Sequence, residues 1–291
     1  MTAPATGPVA VTTQGAASGA AWRRRVVRSI IKSLIAVVGV TAMVVIVWEF
    51  AKWASNTDDE LMPHIWTVAA SFGAINSQGT PEWVYLLDNA AVTLRNSLFG
   101  FAIGTALGLY TGIVIARNKI IGAGLLPLTV LAQTVPIVAI APALVLWLGT
   151  GLLAKVLIAA YLTFFPVTVA TAKGIGSVAA DQHDLMRICA SSSWQLLVKL
   201  QLPASLPLIF VGLETAAGLS VIGAIVGELP FGSSSGLGVV ILTSWQFYTI
   251  QAEPLYDAAF ASCLLGAALV FGVRAIRALV PAAKSDTEGS T

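Results

Sequence analysis

Six stretches of this chain stay apolar for about the length of a bilayer crossing, near residues 29–50, 94–116, 121–148, 152–172, 205–228 and 255–276. A helix needs ~20 mostly apolar residues to cross a ~30 Å hydrocarbon core. Inside lipid, only helices and closed barrels satisfy their own backbone hydrogen bonds. Runs of this length therefore predict an all-α polytopic membrane protein of about six transmembrane helices. The composition agrees, since 10% of the 291 residues are charged against ~25% in soluble domains.

The charges orient the spans. With both termini cytoplasmic, all but three of the 16 lysines and arginines fall on the inner side, as the positive-inside bias requires. Lys52, Arg95 and Lys155 are left outside. The organisation read from this pattern has a tail over 1–22, rich in Ala, Thr, Gly and Pro and lacking periodicity, and a first membrane helix over 23–50. That helix is too long for the ~7–15-residue core of a cleaved signal peptide. An extracytoplasmic loop over 51–92 follows, then a membrane core over 93–280 and a cytoplasmic tail over 281–291. Within the loop, the apolar spacing of "PHIWTVAASF" (63–72) suits an interfacial helix anchored by Trp66, although a solvated loop fits as well.

Several chemistries are excluded or disfavoured. No lysine follows a glycine, so the chain has no G-x-x-x-x-G-K-[ST] phosphate cradle. His64 and His183 fall on opposite sides of the membrane in this topology, which leaves no two-histidine metal site. Cys189 and Cys263 read as unpaired thiols. Nothing suggests a nucleic-acid partner.

Two features bear on packing and passage. Gly100, Gly104, Gly108 and Gly112 recur every fourth residue on one helix face, a spacing that lets backbones approach closely in lipid. The contact is either within the chain or with a second copy. The third span holds Pro127, Pro136 and Pro142. Gln133 and Thr134 beside Pro136 fit the wall of a polar pathway, or equally a kinked structural helix. Glu214, Glu228 and Asp257 are ionisable residues at membrane depth, where such groups are costly and usually functional or paired. Glu214 keeps an alternative open, an ion-coupled secondary transporter.

The most patterned polar stretch is "DQHDLMRICASSSWQLLVKLQLPASLP", Asp181 to Pro207. Leu185, Met186 and Cys189 share one helical face, and Trp194, Leu197 and Val198 repeat the stripe. The serines 191–193 between them suit a helix break and N-cap, so two short amphipathic cytoplasmic helices are predicted over 181–202. This stretch resembles the coupling loop of ABC-importer permeases, whose pattern is E-A-A, three residues, Gly, then nine residues to I-x-L-P. Asp184 stands for the Glu, Leu185 and Met186 for the two Ala, Ala190 for the Gly, and Leu202-Pro203 for the L-P. "TLRNSLFGFAIGTALGLYTGI" (93–113), "LPLTVLAQTVPIVAIAPALVLWLGTG" (126–151) and "LPASLPLIFVGLETAAGLSVIGAIVGELPFGSSSGLG" (202–238) extend the likeness to roughly 60–280, toward the nitrate/sulfonate/taurine branch.

The resemblance implies a type I ABC-importer permease fold and a subunit without its own ATPase site. ATP and Mg would bind a partner ATPase, present in two copies. It would dock on Asp184, Leu185, Met186, Ala190, Trp194, Leu202 and Pro203. The chain itself would bind no cofactor or metal. A second permease chain, most simply the same one, would complete the pore in a bacterial cytoplasmic membrane, and an extracytoplasmic binding protein would deliver the solute. The translocation pathway would involve Gln133, Thr134, Pro136, Glu214 and Glu228. The branch carries sulfonate- and nitrate-type anions and nitrogen heterocycles such as pyrimidine or thiamine precursors and riboflavin. "GELPFGSSSGLG" (227–238) and the lack of Lys or Arg in the central parts of the third to sixth spans lean toward a heterocycle.

Overall fold

The computed structural model describes residue 39 and residues 42–76, 79–229 and 233–280. The expected tails 1–22 and 281–291, and the first span up to residue 38, lie outside the described residues. Residues up to Ile65 and those from Trp66 onward form two separate compact units.

In the first unit, helix α1 (42–55) continues past the expected end at residue 50. The chain after it returns to the helix through polar bonds. Trp48 Nε1 donates to the Pro63 carbonyl at 3.1 Å, Glu49 Oε1 accepts from the Ile65 N–H at 3.2 Å, and Glu49 Oε2 lies 2.7 Å from His64 Nδ1. Lys52 pairs with Asp59, and the lysine's hydrogen bond holds that exposed carboxyl below its usual range.

The second unit is built from α2 (Ile65–Ser71), α3 (Glu82–Arg117), α4 (Lys119–Ala132), α5 (Ile137–Leu148), α6 (Leu152–Gly176), α7 (Ala180–Ile188), α8 (Ser193–Leu196), a π-helical turn (Leu197–Gln201), α9 (Leu202–Glu228), α10 (Leu237–Gln246) and α11 (Glu253–Leu279). Helix α2 occupies the segment expected to carry an interfacial helix. Among the described residues, four helices are long and apolar enough to cross a membrane: α3, α6, the continuous helix from Ser193 to Glu228, and α11. Helices α4 and α5 form a fifth span only as a pair bent by 91°. The third predicted span is thus two helices, because Pro136 cannot donate to the Ala132 carbonyl. That carbonyl accepts instead from the Val135 N–H at 3.3 Å and from the Tyr161 hydroxyl at 2.6 Å.

Helix α3 starts well before the expected residue 94. At 1.5 Å per residue its 36 residues span ~54 Å, more than the hydrocarbon core requires. In the extra turns Glu82, Asn89 and Thr93 are buried, while Asp88 is exposed. Helix α6 packs between α3 and α9, with Ala154, Ile158, Ala159, Thr163, Val167 and Thr171 buried. Thr163 and Thr168 suit this dry position because they donate to carbonyls one turn back, at 2.9 and 2.8 Å.

The glycine stripe of α3 meets α6 within the chain. A Cβ on Gly104 would lie 2.5 Å from the Ala160 carbonyl oxygen and 2.6 Å from Thr163 Cβ. On Gly112 it would lie 2.5 Å from Thr171 Cβ. Gly100 and Gly108 are equally confined, against Ala159 and Phe164. Of the two contacts the spacing left open, the intrachain one is made.

Candidate coupling surface and solute pathway

Helix α7 ends in a turn whose hydrogen bonds are those of a Schellman motif. The Ala190 N–H donates to the Arg187 carbonyl at 2.9 Å, and the Ser191 N–H to the Met186 carbonyl at 3.1 Å. This motif places the residue after the helix in the left-handed region, where glycine is usual. Ala190 occupies it with φ 49°, a conformation that costs a side-chain-bearing residue ~1–2 kcal/mol. The alanine keeps the backbone path that glycine would provide.

Ser192 then caps α8. Its hydroxyl accepts from the Gln195 N–H at 3.3 Å, and Gln195 Oε1 returns to the Ser192 N–H at 2.9 Å, a complete capping box. The expected second short helix does not end. It runs through the π turn into α9 as one rod from Ser193 to Glu228. Pro203 lies just past the turn. Its ring would clash with the Lys199 carbonyl in regular α-helix, and the wider winding falls where that clash would occur.

The outer faces of this α7–α8 corner are apolar. Leu185 is 61% exposed, Ile188 82% and Trp194 68%. Met186 is half-buried and Leu197 buried, so the corner is anchored from below while these three residues face outward. Asp184 is exposed and reaches only Arg187, one turn on, at 3.6 Å, a pair too solvated to contribute much. Leu202 and Pro203 are half-buried within the rod. Cys189 and Cys263 are free thiols.

The expected pathway residues occupy three separate environments. Gln133, Thr134 and Pro136 are exposed at the α4–α5 bend, where the Thr134 hydroxyl donates to the Leu131 carbonyl at 2.7 Å. Glu214 is held by α11, accepting from Arg274 Nε at 2.8 Å and from Arg277 Nη1 at 3.2 Å. Glu228 lies 14 residues further along α9, about 21 Å away at helical rise.

Glu228 is completely buried and fully engaged. Oε2 accepts from the Thr93 hydroxyl at 2.9 Å and the Gly238 N–H at 3.0 Å, and Oε1 accepts from Asn96 Nδ2 at 2.8 Å. The same helix face of α3 continues the network. Asn89 Oδ1 accepts from the Gly236 N–H and Thr93 Oγ1 from the Leu237 N–H, both at 2.8 Å. Gly236 has φ +118°, and any Cβ there would overlap the Glu228 carboxylate. This knot joins α3, α9 and the start of α10. Asn89, Thr93 and Asn96 were not legible as site residues, because their partners lie more than a hundred positions away. The paired glycines of "SSSGLG" were the available signal, since a Cβ on Gly236 would overlap the Glu228 carboxyl carbon and one on Gly238 would lie 2.7 Å from Glu228 Cβ.

The model of the family described as "binding-protein-dependent transport system inner membrane component" matches residues 104–283. The chain belongs to this family. A probable ABC transporter permease protein of Haemophilus influenzae is 33% identical over 212 residues, covering 69% of this chain and 84% of that protein. The riboflavin transport system permease protein of Chloroflexus aurantiacus is 33% identical over 203 residues, covering 69% of this chain and 74% of that one. The formylaminopyrimidine transport permease protein of Halalkalibacterium halodurans is 37% identical over 146 residues, half of this chain and 58% of its own length. In fold, the chain is similar to a methionine ABC transporter, MetNI, solved in inward-facing conformations. That likeness has a TM-score of 0.58 at 17% identity and covers 69% of this chain and 98% of that one. The architecture is therefore the type I ABC-importer permease fold. This permease is a multi-pass membrane protein and a transporter component, and its family implies an ATPase, a solute-binding protein and a second permease chain as partners.

Proposed function

We propose that two copies of this permease line the path of a small polar solute across a bacterial cytoplasmic membrane. Two ATPase subunits, which carry the ATP and Mg, would dock on the α7–α8 corners. The observation that supports this reading best is the corner itself: a Schellman turn held open by Ala190 at the motif's glycine position, presenting Leu185, Ile188 and Trp194 outward. A surface of this kind on the polar side of a membrane protein fits an apolar groove on a partner. Its continuity with α9 lets a push on Trp194 move the whole rod. The chain itself then holds no nucleotide site, which fits the lack of a phosphate cradle in its sequence, and binds no cofactor.

Gln133 and Thr134, exposed at the bend, are the polar groups best placed to face the path between two copies. Glu214 and Glu228 act as structural ties, since Glu214 is paired with Arg274 and Arg277 and both oxygens of Glu228 are hydrogen-bonded within the chain. A nitrogen heterocycle is the favoured solute over a sulfonate- or nitrate-type anion. The ion-coupled reading loses its motive, because Arg274 and Arg277 neutralise Glu214.

The test is a pull-down of the tagged permease from its native membrane. A P-loop ATPase should co-purify with the native chain and be lost from the Asp184→Lys, Ala190→Trp variant. Uptake into vesicles should follow internal ATP and survive a protonophore. Uptake that collapses with the proton gradient and persists without an ATPase would overturn the reading.

A further inference from the structure

At the end of the molecule opposite the coupling corner lies a cavity of about 240 Å³, below the ~300–1,000 Å³ of drug-sized ligand pockets and so suited only to a small group. The connectivity fixes which end this is. Helix α9 starts beside the corner and finishes at Glu228, and Glu228 bonds to the first half of α3. The cavity is bounded by the very first turn of α3 (Glu82, Tyr85), the first turns of α11 (Pro254, Asp257), the end of α10 (Thr243, Ser244) and the end of α2 (Ser71). Val240 also lines it and packs in the buried cluster with Leu86, Leu237 and Ala258.

The lining is acceptor-rich and one-signed. Asp257 and Glu82 both contribute to it, with the hydroxyls of Ser71, Thr243 and Ser244 and the amide of Gln251, and no lysine or arginine does. Asp257 is completely buried. Its Oδ2 accepts from the Ser71 hydroxyl at 2.7 Å, while its Oδ1 is buried with no hydrogen-bond partner among the described residues. A buried carboxylate oxygen left in this state is costly unless a donor reaches it. Elsewhere in this fold the buried carboxylate, Glu228, has both oxygens answered. The walls are also braced. The Glu82 N–H donates to the Ala74 carbonyl at 2.9 Å and the Trp83 N–H to the Phe72 carbonyl at 3.1 Å, closing the segment before α3 against its own start. No group of three or more Asp, Glu, His or Cys side chains among the described residues could hold a metal ion.

We propose that this cavity is a solute-binding site at the outer mouth, built for a group that offers N–H donors to a carboxylate, of the amidine or amino-heterocycle type. Asp257 Oδ1 is the principal acceptor and Glu82 the second. This deepens, and rests on, the reading of the chain as the permease of a heterocycle importer. Solute released by a binding protein would meet Asp257 first, and an anion would be repelled there.

The experiment uses the full chain in nanodiscs with Cys189 and Cys263 replaced by serine and Ser244→Cys as a reporter, modified by a maleimide. Acetamidinium is the probe, tetramethylammonium the equal-charge control without N–H, and methanesulfonate the anion control. At ten times its Kd, acetamidinium should slow labelling about tenfold, by the factor 1 + [L]/Kd, and neither control should slow it. Asp257→Asn should weaken the probe at least about tenfold, the loss expected of a hydrogen bond to a charged group. Glu82→Gln should weaken it less and carries the test if Asp257→Asn does not fold. Protection by tetramethylammonium as strong as that by acetamidinium, protection by methanesulfonate, or no protection by any of the three would overturn the proposal. Co-purification of the ATPase with the same chain is scored separately, so a failed pocket leaves the importer reading standing and a failed pull-down does not.

Discussion

Helix α3 buries one continuous stripe, but its two halves solve the same packing problem by opposite chemistry. From Glu82 to Ser97 the stripe is polar apart from Leu86, with Asn89, Thr93 and Asn96 buried. From Gly100 to Gly112 it has no side chains at all. The glycine half gains stability by bringing two backbones together, so its contact is dispersion over a close-packed seam. The polar half cannot approach so closely. It is held by hydrogen bonds to a carboxylate and to backbone N–H groups of a distant loop, each worth more in low dielectric but each expensive to leave unmade. One half tolerates no added atom, and the other tolerates no missing partner.

The sharpest way to break the comparison is Gly104→Leu. A Cβ alone would meet the Ala160 carbonyl at 2.5 Å, and backbone cannot yield as a side-chain tip can, so α3 and α6 must separate. The monodisperse peak in fluorescence-detected size-exclusion chromatography should be lost. Next comes Glu228→Leu, which removes the acceptor for Thr93, Asn96 and Gly238 together. At about 1–3 kcal/mol for each stranded donor, the melting temperature in detergent should fall sharply. Glu228→Gln, which keeps one acceptor oxygen, should recover much of that loss; if Glu228→Gln were as damaging as Glu228→Leu, the charge rather than the hydrogen bonding would be what the knot requires.

A milder substitution sharpens the glycine half. In Gly108→Ala the added methyl meets the Phe164 carbonyl at 2.8 Å and Val167 Cβ at 2.9 Å. Overpacking of this size costs about 1–3 kcal/mol, so the fold should survive with a lowered melting temperature. The smallest effect asks whether the glycine logic extends beyond α3. Ala190→Gly relieves a left-handed alanine, which should raise stability by about 1 kcal/mol and leave ATPase recovery in the pull-down unchanged or improved. A drop in stability would mean that the methyl has a contact of its own.

The same two halves explain what the sequence could disclose. A four-residue repeat of glycine is a local pattern, and it announced a close contact along α3. It did not name α6 as the partner, because the small residues it meets, Ala160 and Thr163, lie some sixty positions on. Glu228 was visible as an ionisable group at a helix end and was placed among pathway residues. Its burial depends on Asn89, Thr93, Asn96 and Gly238, which no periodicity connects. Pro136 marked a kink, but neither the 91° size of the bend nor the bond from the Tyr161 hydroxyl to the Ala132 carbonyl is written in any local pattern. At the coupling corner, Ala190 stands where the resembled pattern has Gly, and whether an alanine can hold that glycine turn is a question for the fold. Backbone hydrogen bonds answered it, because a Schellman turn depends on main-chain geometry more than on any one side chain.

The π turn at Leu197–Gln201 has a consequence for how motion is geared. A regular helix turns ~100° per residue, and a π turn holds more residues in one revolution than an α turn does. The proposed docking face at Trp194 and the membrane face of α9 are therefore mounted on one shaft with a fixed phase offset between them. Removing a single residue from the turn would leave both faces intact and re-time one against the other. The ATPase would still grip, and the stroke would arrive at the wrong side of the rod.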